Sequence, residues 1–170
     1  ALTGRIELLF LITLRNSVKS QSIVETIFLT FFIGVFMKDL ELVDLALQAR
    51  KNAYAPYSKY NVGAALIAEN DDGEEKVFLG CNVENASYPC GICGERTAAS
   101  KAVSEGFKRF KKIAIAGSSE EICTPCGICR QFLYEFNKNL TVLCASSKGN
   151  FEEKKLNDLL MCGFGPESMQ

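Results

Sequence analysis

Two short segments hold most of the residue types that could do chemistry. They are Cys90–Arg96 (CGICGER) and Pro125–Arg130 (PCGICR), and each contains a C-x-x-C pair. This spacing lets two thiolates converge on one metal ion across a single helical turn. Zinc takes four ligands in a tetrahedron, and thiolates suit it well. The two segments together therefore predict a zinc site.

The ligand set of this zinc site has two alternatives. A closed structural site would use four cysteines, Cys90, Cys93, Cys126 and Cys129. An open catalytic site would use only Cys93, Cys126 and Cys129, and it would leave the fourth position for water. Glu95 favours the open site, because a carboxylate two residues after Cys93 can reach that water without being a ligand.

Three neighbouring residues also favour the open site. Arg96 and Arg130 each follow a cysteine of the site closely, where they could offset the excess negative charge of three thiolates. Pro125 precedes the second cysteine pair, so C-x-E and P-C-x-x-C together complete the signature of the zinc deaminases in an all-cysteine form. A lone C-x-E is weak evidence, whereas the two patterns in this order are strong.

The composition excludes several other kinds of site. The 170 residues include no histidine, which rules out Ser-His-Asp and Cys-His triads, HExxH sites and any histidine general base. The net charge of −1, from 19 basic and 20 acidic residues, argues against a protein that grips nucleic acid through many phosphate contacts. The eight cysteines also fit a disulfide framework, but a chain of this length can form a core without such crosslinks.

The elements around the cysteines alternate between amphipathic helices and apolar strands. The predicted helices are Leu40–Asn52, Gly94–Glu105, Gly127–Phe136 and a short one near Lys155–Leu160. The predicted strands are Asn61–Ala68, Lys76–Cys81, Lys112–Ala116 and Leu140–Ala145. This order predicts a layered α/β domain. Both cysteine segments lead into a helix, whose N-terminus favours the negative charge of thiolates.

Residues 1–36 differ from the rest in composition. They hold two apolar runs, Ile6–Leu14 and Thr26 to about Met37, and none of the cysteines. Neither run reaches the roughly 18 uncharged residues of a membrane span. Three interpretations stay open: a packed helical extension, a hydrophobic anchor, or upstream sequence translated in error with Met37 as the natural start. We therefore expect the catalytic domain to be residues 37–170, after a hydrophobic extension of unclear role.

Several ordered motifs resemble those of the small, homotetrameric zinc-dependent cytidine deaminases, from about Leu40 to Glu167. They are YAPYS at 54–58, VGAAL at 62–66, GCNVENA at 80–86, CGERTA at 93–98, KAVSEG at 101–106, PCGICRQ at 125–131 and FGPE at 164–167. The resemblance implies a three-layer α/β/α sandwich with a mixed central sheet and one Zn²⁺ per chain. It also implies hydrolysis of cytidine and 2′-deoxycytidine to uridine and 2′-deoxyuridine with release of ammonia, in pyrimidine salvage.

The resemblance also implies a role for particular residues. The zinc ligands would be Cys93, Cys126 and Cys129, and Glu95 would shuttle protons. Asn82 and Glu84 would hydrogen-bond the ribose hydroxyls. Tyr60 would line the pyrimidine pocket, where the family usually has phenylalanine. Phe164 would reach into the pocket of a neighbouring subunit, so that the active sites are shared within a homotetramer.

Three positions depart from the family pattern. Gly94 replaces the usual alanine between Cys93 and Glu95, which loosens the backbone there. Met161, which precedes Cys162, follows a Leu-Leu pair where the family commonly has proline, and this bears on the path of the tail. Cys90 is not among the family's three ligands, and we expect it to be a bystander.

The leading hypothesis is a free-nucleoside deaminase without nucleic-acid or membrane partners. We expect it in the cytoplasm, because no targeting signal is convincing and reduced thiols are expected there. A close rival would act on a modified nucleoside or a cytosine-containing antibiotic, although Asn82 and Glu84 argue for ribose. A polynucleotide deaminase is disfavoured, since no basic cluster is longer than Lys108–Lys112. The non-enzymatic alternative is an interaction domain stabilised by a four-thiolate zinc.

Overall fold

The computed structural model describes residues 38–169, and every element below belongs to that range. The interpretations of residues 1–36 lie outside the described residues. The helices are α1 (38–50), α2 (Gly94–Ser104), α3 (Gly127–Tyr134) and the short α4 (Leu156–Leu159). The strands are β1 (Gly63–Glu69), β2 (Glu75–Cys81), β3 (Arg109–Ala116), β4 (Thr141–Ala145) and β5 (Phe151–Lys155). Single 3₁₀ turns are formed by Tyr88–Cys90 and Pro166–Met169.

The five strands form one mixed sheet in the order β2-β1-β3-β4-β5. The β3–β4 pair is parallel, and the other three pairs are antiparallel. Every residue of β4 is buried, and so is the second half of β3. The centre of the sheet is therefore covered on both faces, as the continuous apolar runs predict.

Helices cover the two faces of the sheet unequally. On one face, Leu42, Val43 and Ala46 of α1 pack against small side chains such as Ala65 and Ala114. On the other face, α2, α3 and α4 pack against the larger side chains of the strands, and their buried contacts include Ala98, Leu133, Leu156, Leu66 and Ile113. This arrangement is the three-layer α/β/α sandwich with a mixed sheet, so the predicted fold class is confirmed.

Two glycines let helices lie directly on the sheet. A β-carbon at Gly63 of β1 would lie 2.0 Å from the carbonyl oxygen of Ala46 in α1. A β-carbon at Gly80 of β2 would lie 2.3 Å from the carbonyl oxygen of Gly94 and 2.4 Å from the backbone nitrogen of Ala98. The first turn of α2 is thereby seated on β2, which fixes the position of the residues that begin this helix.

The main differences from the predicted elements lie in charged segments. Strand β3 begins at Arg109, three residues earlier than predicted, and β5 (FEEKK) was not predicted at all. β5 is an edge strand with mostly exposed or half-buried charged side chains, so it lacks the apolar run that marks the inner strands. Among residues 38–169, no helix combines the length and the apolar character needed to cross a membrane.

Candidate metal centre and active site

Two helix N-termini bring three cysteines together. Cys93 immediately precedes α2, Cys126 immediately precedes α3, and Cys129 lies in the first turn of α3. Their three sulfur atoms all lie within 4.8 Å of one another. The positive end of each helix dipole favours negative charge on these thiols. Among the described residues, Cys90 is exposed and lies outside this cluster, so the structure favours three thiols over four.

The spacing of the sulfurs fits a zinc ion. The Sγ atoms of Cys93 and Cys126 are 3.7 Å apart. Two sulfurs on a zinc tetrahedron with Zn–S bonds of about 2.3 Å lie about 3.8 Å apart. Cys129 is fully buried, Cys93 is half-buried and Cys126 is exposed. The cluster is therefore closed on the protein side and accessible from the other, as an open catalytic metal site requires.

The thiols already interact strongly with one another and with their surroundings. Hydrogen bonding with Cys129 lowers the pKa of the Cys93 thiol to about 5, and the nearby Arg96 guanidinium acts in the same direction. Sharing this proton with Cys93, together with burial, raises the pKa of Cys129. One thiol of this pair therefore ionises readily, and the thiolate is the form that binds zinc.

Glu95 lies in the first turn of α2, beside the cysteine cluster. Only 3% of the residue is exposed. Burial raises the pKa of its carboxyl group to about 7, and the negative charge of Cys93 adds to the rise. A carboxyl with a pKa near neutral pH can both accept and donate a proton, which suits general acid–base catalysis.

The two arginines that follow the cysteines differ in their contacts. Nη2 of Arg96 lies 3.9 Å from the Cys93 sulfur and donates to the carbonyl oxygen of Gly91 at 3.4 Å. Arg130 instead donates to the carbonyl oxygens of Pro125 and Leu159, each at 2.7 Å. Arg96 is thus placed to offset thiolate charge. Arg130 ties the loop before Cys126 to α4, and its charge-offsetting role stays a prediction.

Asn82 follows β2 and fixes the loop that leads into β1. Its Oδ1 accepts a hydrogen bond from the backbone of Val62 at 2.8 Å, and its Nδ2 donates to the carbonyl oxygen of Tyr60 at 2.9 Å. A carboxamide offers two N–H donors and two acceptor lone pairs. Within residues 38–169, one donor and one acceptor of the Asn82 side chain therefore remain for another partner.

Glu84 is held by the loop at 57–58. Its Oε2 accepts from the backbone nitrogens of Tyr57 at 2.8 Å and Ser58 at 3.1 Å, and its Oε1 accepts from the Ser58 hydroxyl. These hydrogen bonds, the Ser58 hydroxyl first, hold the pKa of Glu84 below its usual value. The ionised carboxylate borders a surface depression of about 430 Å³, which is lined by Tyr57, Ser58, Glu84, Asn85, Tyr88 and Gly91.

Tyr60 lies in the loop before β1, with its hydroxyl directed at the segment after β3. The hydroxyl oxygen lies 3.4 Å from the Ser119 hydroxyl and interacts with the Cys123 thiol. The residue as a whole is 37% exposed. The hydroxyl thus contacts protein groups while part of the residue stays accessible.

The comparisons with known proteins agree with this geometry. The model of the family described as "Cytidine and deoxycytidylate deaminase zinc-binding region" matches residues 37–145. A cytidine deaminase of Sporosarcina psychrophila is 43% identical over 130 residues, which cover 76% of this chain and 93% of that protein. A second one, from Halalkalibacterium halodurans, is 40% identical over 129 residues, 75% of this chain and 95% of the relative.

The chain belongs to this deaminase family. A solved structure agrees: the crystal structure of cytidine deaminase from Burkholderia pseudomallei has a TM-score of 0.67 and 42% identity, over 73% of this chain and 97% of that chain. The predicted family, the deaminase activity and the zinc cofactor are confirmed by these matches and by the three-cysteine cluster. The roles of individual side chains toward substrate stay predictions.

Phe164 is placed at the surface of the chain. Its residue is 59% exposed, and its carbonyl oxygen accepts a hydrogen bond from Gln131 of α3 at 2.6 Å. Gln131 lies two residues after Cys129, so the tail is tied to α3, the helix that contains Cys129. An exposed aromatic ring beside the site is compatible with the predicted contribution to a neighbouring subunit.

Sequence reasoning missed several residues that shape the site. Ser58 holds Glu84, and its signal was the YAPYS motif that contains it. Gly117 and Cys123 lie in the segment that follows β3, and both contact the Tyr60 side chain. No signal in the sequence pointed to these two, because the contact joins segments that are far apart along the chain.

Proposed function

We propose that the chain hydrolyses cytidine and 2′-deoxycytidine at C4 of the base, which gives uridine or 2′-deoxyuridine and ammonia. The observation that carries this proposal is the buried carboxyl group of Glu95 beside three convergent thiols at two helix N-termini. This set offers one proton carrier and three metal ligands, with no histidine in the chain. Hydrolytic removal of an amine from a ring carbon needs those two components.

Glu95 is the proton carrier in this proposal. Zinc held by Cys93, Cys126 and Cys129 would supply a Lewis acid that lowers the pKa of water from about 15.7 towards 7. Glu95 accepts the proton that the water loses and delivers it to N3 of the pyrimidine ring. Once the deprotonated water has bonded to C4, Glu95 transfers the proton of the new C4 hydroxyl to the amine. The C4–N bond then breaks, ammonia leaves and the C4 oxygen becomes a carbonyl. Burial raises the pKa of its carboxyl group, which helps it to hold a proton between the two transfers.

Asn82 and Glu84 bind the sugar in this proposal. The free acceptor of the ionised Glu84 suits a hydroxyl donor, and the free donor and acceptor of Asn82 suit a second hydroxyl. Both side chains are already oriented by backbone hydrogen bonds, which lowers the cost of ordering them on binding. The free base offers neither side chain a ribose hydroxyl, so these two contacts favour nucleosides over the free base.

The finer partners of the enzyme are also part of the proposal. The protein works as a homotetramer in which Phe164 of one subunit completes the pyrimidine pocket of another, and its exposed ring supports this. The cytoplasm is the proposed compartment. A chain with eight cysteines, three of them proposed as zinc ligands, suits a compartment that keeps thiols reduced.

A substrate panel tests the proposed reaction. The purified, zinc-loaded protein is incubated with cytidine, 2′-deoxycytidine and cytosine, and products are separated by chromatography while ammonia is measured. We expect equal amounts of ammonia and deaminated nucleoside, with cytosine the poorest substrate. Turnover of neither nucleoside by folded, zinc-loaded protein would contradict the proposal and direct attention to other amine-bearing substrates.

Mixing two inactive variants tests the shared site. Glu95→Gln and Phe164→Ala are each expected to have little activity alone. If Phe164 serves a neighbour's site, hybrid tetramers contain sites with both an intact Glu95 and an intact Phe164, and activity returns on mixing. Native mass spectrometry verifies that subunits exchange. Exchange without any recovery would show that each site uses its own Phe164.

A further inference from the structure

We propose that Gly117 is a positioning residue for the pyrimidine pocket: its missing side chain leaves the space that the Tyr60 hydroxyl occupies, and this fixes the Tyr60 ring beside the site. The inference rests on the proposed role of Tyr60 in the pocket. It makes Gly117 and Tyr60 a coupled pair, because the Tyr60 hydroxyl fits only where residue 117 has no side chain.

The steric relation between the two residues is direct. Gly117 follows β3, and a β-carbon built on it would lie 2.2 Å from the Tyr60 hydroxyl oxygen. The same β-carbon would lie 3.0 Å from Cζ of Tyr60 and 2.9 Å from Cβ of Cys123. The shortest of these distances is therefore to the hydroxyl that distinguishes tyrosine from phenylalanine.

The hydroxyl is held in this space by polar contacts. Ser119 Oγ lies 3.4 Å away, and the Cys123 thiol is a second hydrogen-bonding partner. Cys123 is only 8% exposed, so the hydroxyl faces a buried thiol although Tyr60 itself is 37% exposed. Burial raises the pKa of Tyr60, and the hydroxyl therefore keeps its proton and can donate it.

The backbone of Gly117 cannot readily retreat from the ring. Its nitrogen donates to the carbonyl oxygen of Ala145 at 3.5 Å, and its own carbonyl oxygen accepts from the Arg50 guanidinium of α1. The backbone nitrogen of Cys123 donates a hydrogen bond to the same carbonyl oxygen at 3.2 Å. Since Gly117 is held by β4 and α1, an added methyl group is expected to displace the Tyr60 side chain instead.

A displaced Tyr60 would disturb the proposed sugar contacts as well. The backbone nitrogen of Tyr60 donates to the Ser58 hydroxyl at 3.0 Å, and that hydroxyl also donates to Glu84. The carbonyl oxygen of Tyr60 accepts from Asn82 at 2.9 Å. The loop at Tyr60 therefore links Gly117 to both side chains proposed to bind ribose.

Three variants test the pair: Gly117→Ala, Tyr60→Phe and the double variant. Gly117→Ala is expected to lower kcat/KM for cytidine roughly 10- to 100-fold, mainly through KM, because a misplaced pocket weakens substrate positioning. Tyr60→Phe removes only the hydroxyl that faces Gly117, so it is the reference with which the double variant is compared. The double variant should recover part of the loss, because the atom nearest the new methyl is gone while the contact with Cβ of Cys123 at 2.9 Å remains.

Matched measurements separate positioning from general damage. Zinc content per chain should be unchanged in all three variants. Gly127→Ala is the control substitution, because a methyl added there meets nothing within 4 Å and shows whether an extra methyl near the thiols is harmful by itself. If Gly117→Ala does not fold, the unfolding temperature of the double variant becomes the readout, and restored folding supports the clash with the hydroxyl.

Two results would overturn the inference. One is wild-type KM in Gly117→Ala. The other is a double variant at least as impaired as Gly117→Ala, in both KM and unfolding temperature. If the wild-type chain deaminates neither nucleoside, the proposed function fails first. The steric coupling is then judged from the unfolding temperatures alone, where Tyr60→Phe must still offset the loss caused by Gly117→Ala.

Discussion

Substituting Gly80 tests how the sheet positions α2, the helix that contains Glu95. The substitution Gly80→Ala would place a β-carbon 2.3 Å from the carbonyl oxygen of Gly94, 2.4 Å from the backbone nitrogen of Ala98 and 3.0 Å from its Cα. All three atoms belong to the backbone of α2, so no side-chain rotation relieves the contact. Either β2 or the first turn of α2, which carries Glu95, must move.

The expected effects follow from the size of this overlap. Restoring ordinary contact needs a shift on the order of 1 Å, and overpacking of this kind costs about 3 kcal/mol, the upper end of the usual range, because backbone atoms are involved. For a chain of this size, that corresponds to a Tm lower by roughly 6–12 °C. A misplacement of about 1 Å at Glu95 is expected to reduce kcat by roughly 100-fold.

Thermal unfolding, zinc analysis and cytidine turnover check these numbers together. Ser100→Ala is the matched control, because Ser100 is an exposed residue of the same helix, and its Tm and activity should equal those of the wild type. A Gly80→Ala protein with wild-type Tm and kcat would refute the reasoning. It would mean that α2 is not seated on β2 as closely as the structure places it.

Two further predictions concern the sugar contact and the zinc ligands. Glu84→Gln keeps an oxygen for its backbone donors and should raise KM for cytidine about tenfold. This increase should be the same at pH values from about 5.5 to 8, because the lowered pKa of Glu84 keeps it ionised throughout. The inhibition constant of cytosine should not change, and an equal change in both constants would indicate a structural role. Cys90→Ser should retain one zinc per chain by elemental analysis, whereas Cys129→Ser should lose it, and zinc loss from Cys90→Ser would support a closed four-cysteine site.

The inner part of the fold was predictable because it is apolar and periodic. The run NVGAALIA predicts a strand buried on both faces, and β1 occupies Gly63–Glu69 with its first four residues buried. The edge strand β5 was not predictable in this way, because its register is set by pairing with β4 and not by its own hydrophobicity. Charged Glu152 and Glu153 in this segment suggest a loop when taken alone.

The functional site was likewise predictable only in part. The ligands Cys93, Cys126 and Cys129 were recognisable because metal chemistry requires particular residue types at particular spacing. The contact of Gly117 with Tyr60 depends on the packing of two loops, and a glycine directly after a strand is common in turns that contact no aromatic ring. The sequence motifs thus identify the groups that react, and the structure adds the contacts that hold them in place.

The most direct test of the central claim is the ultraviolet absorbance of cytidine incubated with zinc-loaded wild-type protein and with Glu95→Gln. The wild type is predicted to give a steady fall in absorbance. Glu95→Gln should keep its zinc and its fold while turnover drops about 10²- to 10⁴-fold, since Glu95 is not a ligand and carries the protons. Normal turnover in Glu95→Gln, or no fall with folded, zinc-loaded wild type for either cytidine or 2′-deoxycytidine, would contradict the account.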